Sequence, residues 1–245
     1  MYNHNLLRGG IDMVASRERP IERQKLREQT SDVVQEFDRH FRNWVRVACE
    51  DWGYAMPPET YFAKVYERLP EGLRALLGLG LKSGLVISKG RTFTLRGLPS
   101  EKGPYNWFSH YAGAKEPAPN WEYFVHVTEF IRFHTIAAAN RLSVTFEDDT
   151  MDIALYQDNR LLIYCEVKEK VSQIQKLIKE IKAYQLGVDF AAPDRGNDPL
   201  RKAKCIVQRK PEYFVGVAIG ARFEYRVIYP EDKGFQLIRD VVPLI

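Results

Sequence analysis

The amino-acid sequence predicts an α/β protein in which a mainly helical N-terminal domain precedes a mixed sheet flanked by helices. Apolar residues recur at helical spacing through most of residues 21–82. From residue 121 to 229 the pattern changes in the order helix, three strands, helix, strands, which is typical of an α/β sandwich. Residues 97–120, between these two parts, are dense in Gly, Pro, Ser and Asn. We therefore expect domains at residues 1–100 and 120–245, joined by a linker at 101–119.

Composition and charge are those of an ordinary globular protein. The chain has 245 residues, of which 45% are apolar and 28% charged, and this length allows a well-buried core. The net charge of +4 arises from an excess of Lys and Arg in residues 1–100. That asymmetry is compatible with a polyanionic partner.

The cysteines and the N-terminal segment indicate the compartment. Cys49, Cys165 and Cys205 are odd in number and have no CxxC spacing, which argues against a disulfide framework or a zinc ribbon. The first 20 residues lack the apolar core of a signal peptide, and no apolar run reaches membrane-spanning length. The expectation is a cytoplasmic, soluble protein without a membrane partner.

The N-terminal domain is predicted to contain three helices followed by a β-hairpin. Residues 1–17 have no regular pattern, whereas 21–51 form a helix that ends before Gly53. A second helix begins near Pro58 and is broken at Pro70, and a third covers 71–82. Residues 85–95 then read as an apolar run, a Lys-Gly turn and an alternating strand, which is a hairpin signal.

Helices followed by a basic hairpin resemble a winged helix-turn-helix, in which one helix enters a DNA groove and the hairpin touches the backbone. In that interpretation Arg74 and Lys82 contact phosphates from the third helix, and Lys89 and Arg91 contact them from the wing. The alternative is a small helical packing or dimerisation domain whose charges are solvated. The segment 97–120 also has two readings, since its aromatic residues could lay it over the second domain instead of leaving it a linker. These residues are Tyr105, Trp107, Phe108 and Tyr111.

The C-terminal domain begins with a helix at 121–140, which Asn120 precedes in a capping position. Strands are predicted at 142–146, 151–156 and 161–167, and a second helix at 171–186. This helix has an apolar inner face, and its outer face carries Lys176, Lys179 and Lys182. A polar, basic loop is expected at 189–202, followed by strands at 205–207, 213–219 and 225–229.

Three charged residues fall at the ends of two adjacent strands. A tight turn at 157–160 joins the strands that carry Asp152 and Glu166, so antiparallel pairing brings these carboxylates together. Side chains alternate along a strand, and Lys168 is therefore expected on the same side as Glu166. Assembling such charges at the end of an apolar strand is costly, which points to a functional site.

This arrangement resembles the PD-(D/E)XK superfamily of nucleases, which have the restriction-endonuclease-like fold, over about residues 120–230. The family motif has an acidic residue opening one strand, here Asp152, and (D/E)-x-K ending the next, here residues 166–168. Met151 stands where the family name has proline. Many members add a glutamate on the preceding helix, which is Glu129 here, with Glu122 as second choice. Some add a glutamine on the following helix, for which Gln185 is the candidate.

The resemblance implies a metal-dependent nuclease that hydrolyses phosphodiester bonds of DNA, as an endo- or exodeoxyribonuclease. It implies Mg²⁺, or Mn²⁺, because hard cations prefer carboxylate and carbonyl oxygens. The implied ligands are the side chains of Asp152, Glu166 and Glu129 and the carbonyl of Val167. Lys168 is then expected to act on the attacking water or the phosphate, with Gln185 orienting one of these groups. The N-terminal domain is expected to bind or dock DNA in restriction, repair or mobile-element chemistry, and a homodimer would suit cutting of two strands.

Two less specific interpretations stand beside this one. The charged residues 166–170 are also compatible with a solvated sheet edge that discourages aggregation. The lysines of the second helix are likewise compatible with an ordinary wet helix face, although such a face could follow a nucleic-acid backbone. The alternative function is a DNA-binding or assembly protein that keeps the fold without activity.

Overall fold

The structure, a computed structural model, describes residues 20–98, 103–195, 198–230 and 234–243, with side chains from residue 31 onward. Within these ranges the chain is a mixed α/β protein with six helices, a six-stranded mixed sheet and two smaller sheets. The α/β class predicted from the sequence is therefore confirmed. The irregular segment predicted for residues 1–17 lies outside the described residues. No helix in the described ranges combines the length and apolarity needed to cross a membrane.

The N-terminal part has the predicted three helices and hairpin. They are α1 (Pro20–Trp52), α2 (Glu59–Arg68), α3 (Glu71–Lys82), β1 (Val86–Lys89) and β2 (Thr92–Leu95). β1 and β2 pair antiparallel across a turn in which Gly90 has φ +58°, a conformation that favours glycine. A short strand that the sequence did not predict, β3 (Tyr105–Asn106), adds to the free edge of β2.

Helix α3 lies between α1 and α4 (Trp121–Asn140), and its glycines allow the close approach. A Cβ on Gly78 would lie 1.8 Å from the carbonyl oxygen of Val33 on α1. A Cβ on Gly80 would lie 2.5 Å from the Ile131 side chain on α4. The glycines that lower helix propensity are thus the residues that let three helices pack. As a result, two sides of α3 are covered by other helices.

Residues 103–119 pack into the hydrophobic core. This segment contains β3, β4 (Phe108–Ser109) and β5 (Ala118–Pro119), and the last two pair with each other. Tyr105, Trp107 and Phe108 are buried, whereas Tyr111 is 61% exposed. One hydrophobic cluster continues from α1 through this segment to α4 and the large sheet. These contacts agree with the interpretation of the segment as a loop laid over its neighbours, and the hydrophobic cluster includes described residues on both sides of the predicted linker.

The large sheet has the order β11-β10-β9-β8-β7-β6. β8 and β9 are parallel, and the other neighbours are antiparallel, so the sheet is mixed. Its strands are β6 (Ser143–Asp148), β7 (Met151–Gln157), β8 (Arg160–Val167), β9 (Tyr213–Ala218), β10 (Ala221–Ile228) and β11 (Gln236–Arg239). The last of these was not predicted.

Helices cover both faces of the sheet. α4 packs on one face, and α5 (Val171–Lys182) with α6 (Pro199–Arg209) packs on the other, so that each face has its own apolar cluster. Since α5 and α6 connect parallel strands β8 and β9, they form the crossover that parallel pairing requires.

Two sequence predictions on this side of the sheet were wrong. Residues 205–207 are not a strand but belong to α6, which begins inside the predicted loop 189–202. Asp198 caps that helix through the Leu200 N–H, at 2.9 Å, and Pro199 occupies its first turn. Helix α5 ends at Lys182 instead of continuing to 186. At the start of α4, Asn120 is the N-cap residue as predicted, but its side chain makes no capping hydrogen bond.

The packing of α3 predicts opposite responses at two of its glycines. Gly78→Ala should lower the free energy of unfolding by about 1–3 kcal/mol, because the added methyl group overlaps the α1 backbone. Gly72→Ala, in the same helix but with open space around it, should be neutral or stabilising by up to about 1 kcal/mol. Denaturant unfolding of the two variants measures the difference. Equal effects at both positions would contradict this packing.

Candidate active site

The β7–β8 hairpin brings Asp152 next to the end of β8. Its turn has Asp158 and Asn159 at φ +47° and +68°, as a two-residue type I′ turn requires. Ile153 pairs with Cys165, which places Asp152 opposite Glu166. Oδ2 of Asp152 accepts a hydrogen bond from the Val167 N–H at 2.6 Å. The predicted juxtaposition of these residues is present.

The Lys168 ammonium lies among three oxygen atoms. Its Nζ donates to the Val167 carbonyl at 2.6 Å and to Glu122 Oε1 at 3.0 Å. Oδ2 of Asp152 is 3.8 Å from the same nitrogen. Burial alone would lower the pKa of Lys168, but the charges of Asp152, Glu122 and Glu166 outweigh burial and raise it. Lys168 is therefore a protonated cation at neutral pH, and carboxylate and carbonyl oxygen atoms surround it.

Glu166 is buried completely, with one oxygen paired and one unpaired. Oε1 accepts hydrogen bonds from the Tyr164 hydroxyl and the Lys202 Nζ, both at 2.6 Å. Oε2 is buried and has no hydrogen-bond partner. Burial and the nearby charge of Asp152 raise the pKa of Glu166 to about 7, although Lys202 and Tyr164 act in the other direction.

Lys202 is the site residue that sequence reasoning missed. It lies on α6 with 1% of its surface exposed, and Nζ also donates to the Thr150 carbonyl at 3.2 Å. The sequence contained a signal for this helix, because Asp198-Pro199 is typical of a helix N-terminus. In such a helix Lys202 lies one turn before Ile206, on the apolar face. Because this segment was predicted as a loop and a strand, Lys202 was not recognised as a buried helix residue.

Glu166 and Lys168 do not point the same way, contrary to the prediction. Glu166 turns toward α6, where it meets Lys202, and Lys168 turns toward α4, where it meets Glu122. The alternation rule applies within a strand, and β8 ends at Val167, one residue before Lys168. The two charges consequently approach Asp152 from different sides of the sheet.

An acidic cleft of about 450 Å³ opens in front of Asp152, between the start of α4, the β6–β7 turn and α6. Behind it, the His126 Nε2 lies 2.6 Å from the Asp152 carbonyl oxygen, and burial lowers the pKa of this imidazole. A neutral His126 therefore donates to the Asp152 backbone and supports the site. The charged residues lining the cleft are Glu122, Glu147, Asp149, Asp152 and Arg201, the last paired with Asp149 at 3.0 Å.

The two remaining catalytic candidates lie elsewhere. Glu129 is buried on α4 and pairs with Arg222 of β10, with Arg132 Nε 3.6 Å away. Glu122, the second choice, is the helix glutamate that meets Lys168. Gln185 lies in the turn after α5, and its carbonyl accepts the Phe235 N–H at 3.1 Å. No described hydrogen bond joins its side chain to Asp152, Glu166 or Lys168.

The candidate DNA-binding residues differ in whether they form ion pairs within the protein. Arg74 pairs with both oxygens of Asp38 at 3.0 Å, and Arg91 pairs with Asp51 at 2.9 Å. Lys82 and Lys89 are exposed, and no ion pair involving them occurs in the described part of the chain. On α5, Lys176 and Lys179 are exposed, whereas Lys182 is half-buried. Lys176 is 3.8 Å from Glu180, Lys182 lies 4.5 Å from the Tyr225 ring centre, and Lys179 is exposed.

Comparisons with known proteins assign no family to this chain. No protein-family model matches the chain, and searches of curated proteins and of solved structures also find no match. Across the residues that the structure covers, no three His, Cys, Asp or Glu side chains converge closely enough to hold a metal ion. Any metal here would have to use carbonyl or water oxygens in addition to the carboxylates.

The buried Glu166–Lys202 pair predicts a strong and pH-dependent stability effect. Lys202→Met should lower the free energy of unfolding by about 3–5 kcal/mol at pH 8, because it leaves a buried carboxylate without its cation. The deficit should shrink as the pH falls, since burial keeps the folded-state pKa of Glu166 above its unfolded value. Below the unfolded value both states are protonated, and no charge remains to be penalised.

Denaturant unfolding of Lys202→Met, Glu166→Gln and the double variant measures this coupling. The double variant should regain most of the stability lost by Lys202→Met, because it removes both charges. Lys64→Met, on the exposed face of α2, serves as the control and should stay within about 0.5 kcal/mol of the parent. A Lys202→Met deficit that is unchanged from pH 4 to pH 8 (roughly the window set by these pKa values) would refute the assignment.

Proposed function

We propose that this protein is a metal-dependent nuclease that hydrolyses phosphodiester bonds of DNA. The observation that carries the proposal is the arrangement at the end of β8. There Lys168 contacts the Val167 carbonyl with Asp152 3.8 Å away, and Glu166, opposite Asp152 on the hairpin, lies close enough for the Asp152 charge to raise its pKa. These are the residue types that phosphodiester hydrolysis needs, namely oxygen ligands for a hard cation and a cationic side chain.

Two features support binding of Mg²⁺ or Mn²⁺ by these residues. The buried, unpartnered Oε2 of Glu166 is an unsatisfied acceptor next to Asp152, and an unsatisfied buried carboxylate oxygen is costly unless a cation completes it. The Lys168 ammonium already contacts the Val167 carbonyl and Glu122 with Asp152 nearby, so these oxygens are arranged around a positive charge. Two carboxylates and a carbonyl suit Mg²⁺, which usually keeps several waters.

Each residue has a chemical role in the proposed reaction. A bound cation supplies charge neutralisation at the phosphate and a water of lowered pKa. Asp152 and Glu166 would hold that cation, and the Val167 carbonyl, which accepts from Lys168 Nζ, would be a third oxygen ligand. Protonated Lys168 stabilises the negative charge that builds on the phosphate. Glu122 holds the Lys168 ammonium, and Lys202 with Tyr164 fixes Glu166 through Oε1 so that Oε2 remains free for the cation.

The topology supports the finer assignment to the restriction-endonuclease-like fold. One helix, α4, precedes three antiparallel strands, and a helical crossover then leads to β9, which runs parallel to β8. The site lies at the start of β7 and the end of β8, where the family motif resides. We propose a catalytic set of Asp152, Glu166, Lys168 and Glu122, while Glu129 is held by Arg222.

A second candidate function is a DNA-binding or assembly protein that uses the same fold without activity. The observation that favours it is the buried Lys202–Glu166 ion pair, since a lysine already satisfies one oxygen of the carboxylate that a metal would need. In that case Glu166 and Lys202 stabilise the fold, and the acidic cleft carries no cation.

Substitution of the site distinguishes these functions. With Mg²⁺ or Mn²⁺, the parent protein should cleave plasmid or single-stranded DNA, and Asp152→Ala and Lys168→Ala should each lower the rate on the order of 10²-fold or more. Lys64→Ala, which removes an exposed lysine on α2, should cleave at the parent rate. Gel-based cleavage kinetics measure this. Cleavage that survives Asp152→Ala would defeat the mechanism, and absence of cleavage by the parent would favour the second function.

The exposed lysines of the N-terminal part should supply the salt-dependent share of DNA binding. Lys82→Ala and Lys89→Ala should each weaken binding uniformly across sequences and reduce the slope of log K against log salt by about 1. Arg74→Ala should instead act on stability, since Arg74 is engaged by Asp38. Fluorescence anisotropy titrations at several salt concentrations measure the slopes. Unchanged slopes for both lysine variants would refute DNA contact by this surface.

A further inference from the structure

A second cleft, of about 600 Å³, lies beside the acidic cleft and has a different lining. We call it the aromatic cleft, and define it by the end of α1, the β2–β3 edge and residues 104–111. Five Trp, Tyr and Phe side chains and one imidazole line it, namely those of Trp52, Tyr105, Phe108, Tyr111, Tyr123 and His110. Such a lining favours a flat, apolar ligand surface.

The aromatic cleft adjoins the acidic cleft. Asn120 and Tyr123, at the start of α4, line both of them. A ligand that placed a phosphate at Asp152 would therefore extend its neighbouring groups past these two residues. On a nucleic acid, the groups that flank a phosphate are the adjoining nucleosides.

The Trp52 and His110 rings are stacked on each other, and His110 is at the solvent-exposed end of this stack. The Trp52 and His110 ring centres are 5.1 Å apart with an interplanar angle of 22°, and the Arg91 guanidinium is 5.2 Å from the Trp52 ring centre. His110 is exposed, and Tyr111 next to it is 61% exposed. Aromatic and guanidinium planes of this kind stack on nucleobases, and every base has a π-face to offer.

Polar groups at the cleft edge match the edge of a base. Asn106 is exposed, and its Oδ1 accepts from the Arg91 Nη1 at 2.7 Å, which leaves the amide NH₂ group as a donor. Ser109 adds a hydroxyl group to the same lining. Aromatic faces with a few polar groups at the rim distinguish this cleft from a purely apolar groove.

We propose that the aromatic cleft binds an unpaired nucleobase next to the scissile phosphate, so that the substrate is single-stranded DNA or a single-stranded region of it. This inference rests on the proposed nuclease function for its position relative to the reaction. Bases inside a duplex are stacked on each other, and one must leave the stack before a protein ring can replace its neighbour. An unpaired strand has no such cost.

Binding measured without cleavage tests this proposal. The chain carrying Asp152→Asn, which keeps an acceptor for the Val167 N–H, is titrated by fluorescence anisotropy in metal-free buffer. The probes are a single strand of about 12 nucleotides, within the usual range of site sizes, and its blunt duplex. Single-stranded DNA should bind more tightly than duplex. His110→Ala, Tyr111→Ala and Trp52→Ala should each weaken single-strand binding by about tenfold, the order expected for one stacked base, and leave duplex binding unchanged.

Controls separate stacking from loss of fold. Phe190→Ala, an exposed aromatic residue outside both clefts, should bind single strands as the parent does. His110 and Tyr111 lie on an exposed loop, so melting curves of their variants should match the parent even if Trp52→Ala is destabilised. Equal affinity for single strand and duplex, or unchanged binding in the His110 and Tyr111 variants, would overturn the proposal, as would absence of binding to either probe.

Parallel cleavage assays keep the two proposals distinct. Preferential single-strand binding that depends on the cleft, in a parent protein that does not cleave with Mg²⁺ or Mn²⁺, would retain the base-binding cleft and reject the nuclease. Cleavage that depends on Asp152 but is unaffected by His110→Ala and Tyr111→Ala would retain the nuclease and reject the cleft.

Discussion

The packing around Trp107 is the constraint on which the rest of the structure depends. Its ring is fully buried and lies 4.0 Å from Phe93, 4.7 Å from Trp44 and 4.9 Å from Phe124, measured between ring centres. These partners belong to β2, α1 and α4, so a single side chain joins the hairpin, the long helix and the helix that covers the sheet. The first turn of α4 carries Glu122, and the position of α4 against the sheet therefore sets where Glu122 meets Lys168.

This shared core changes how the N-terminal part relates to the candidate site. A separate docking module would bury its own core and meet the sheet domain through a small, polar interface. Here the end of α1 and residues 104–111 line a cleft that shares Asn120 and Tyr123 with the acidic one. The N-terminal part thus lines the cleft next to the acidic one, and two of the arginines expected to contact DNA, Arg74 and Arg91, form ion pairs within the protein.

Two hydrogen-bond donors explain why Glu166 is tolerated at the buried end of an apolar strand. Glu166 is completely buried, which is tolerable because Lys202 and Tyr164 donate to the same oxygen. The other oxygen has no partner, and Asp152 is close enough to raise the pKa of Glu166. A fold under selection for stability alone would replace such a group by an apolar one, since buried pairs contribute little net stability.

Local sequence patterns were enough to predict the fold class and several of the secondary-structure elements. The α/β class, the three N-terminal helices with their hairpin, and the β7–β8 pair that joins Asp152 to Glu166 all follow from periodicity and turn residues of neighbouring segments. What depended on contacts between distant segments was decided only by the tertiary structure. Lys202 is 36 residues from Glu166 and lies in a helix that the sequence analysis missed. Lys168 meets Glu122, 46 residues away, whereas Glu129 pairs with Arg222. Side-chain alternation and helix periodicity describe one element at a time, whereas a site assembled from α4, β7, β8 and α6 depends on how those elements pack.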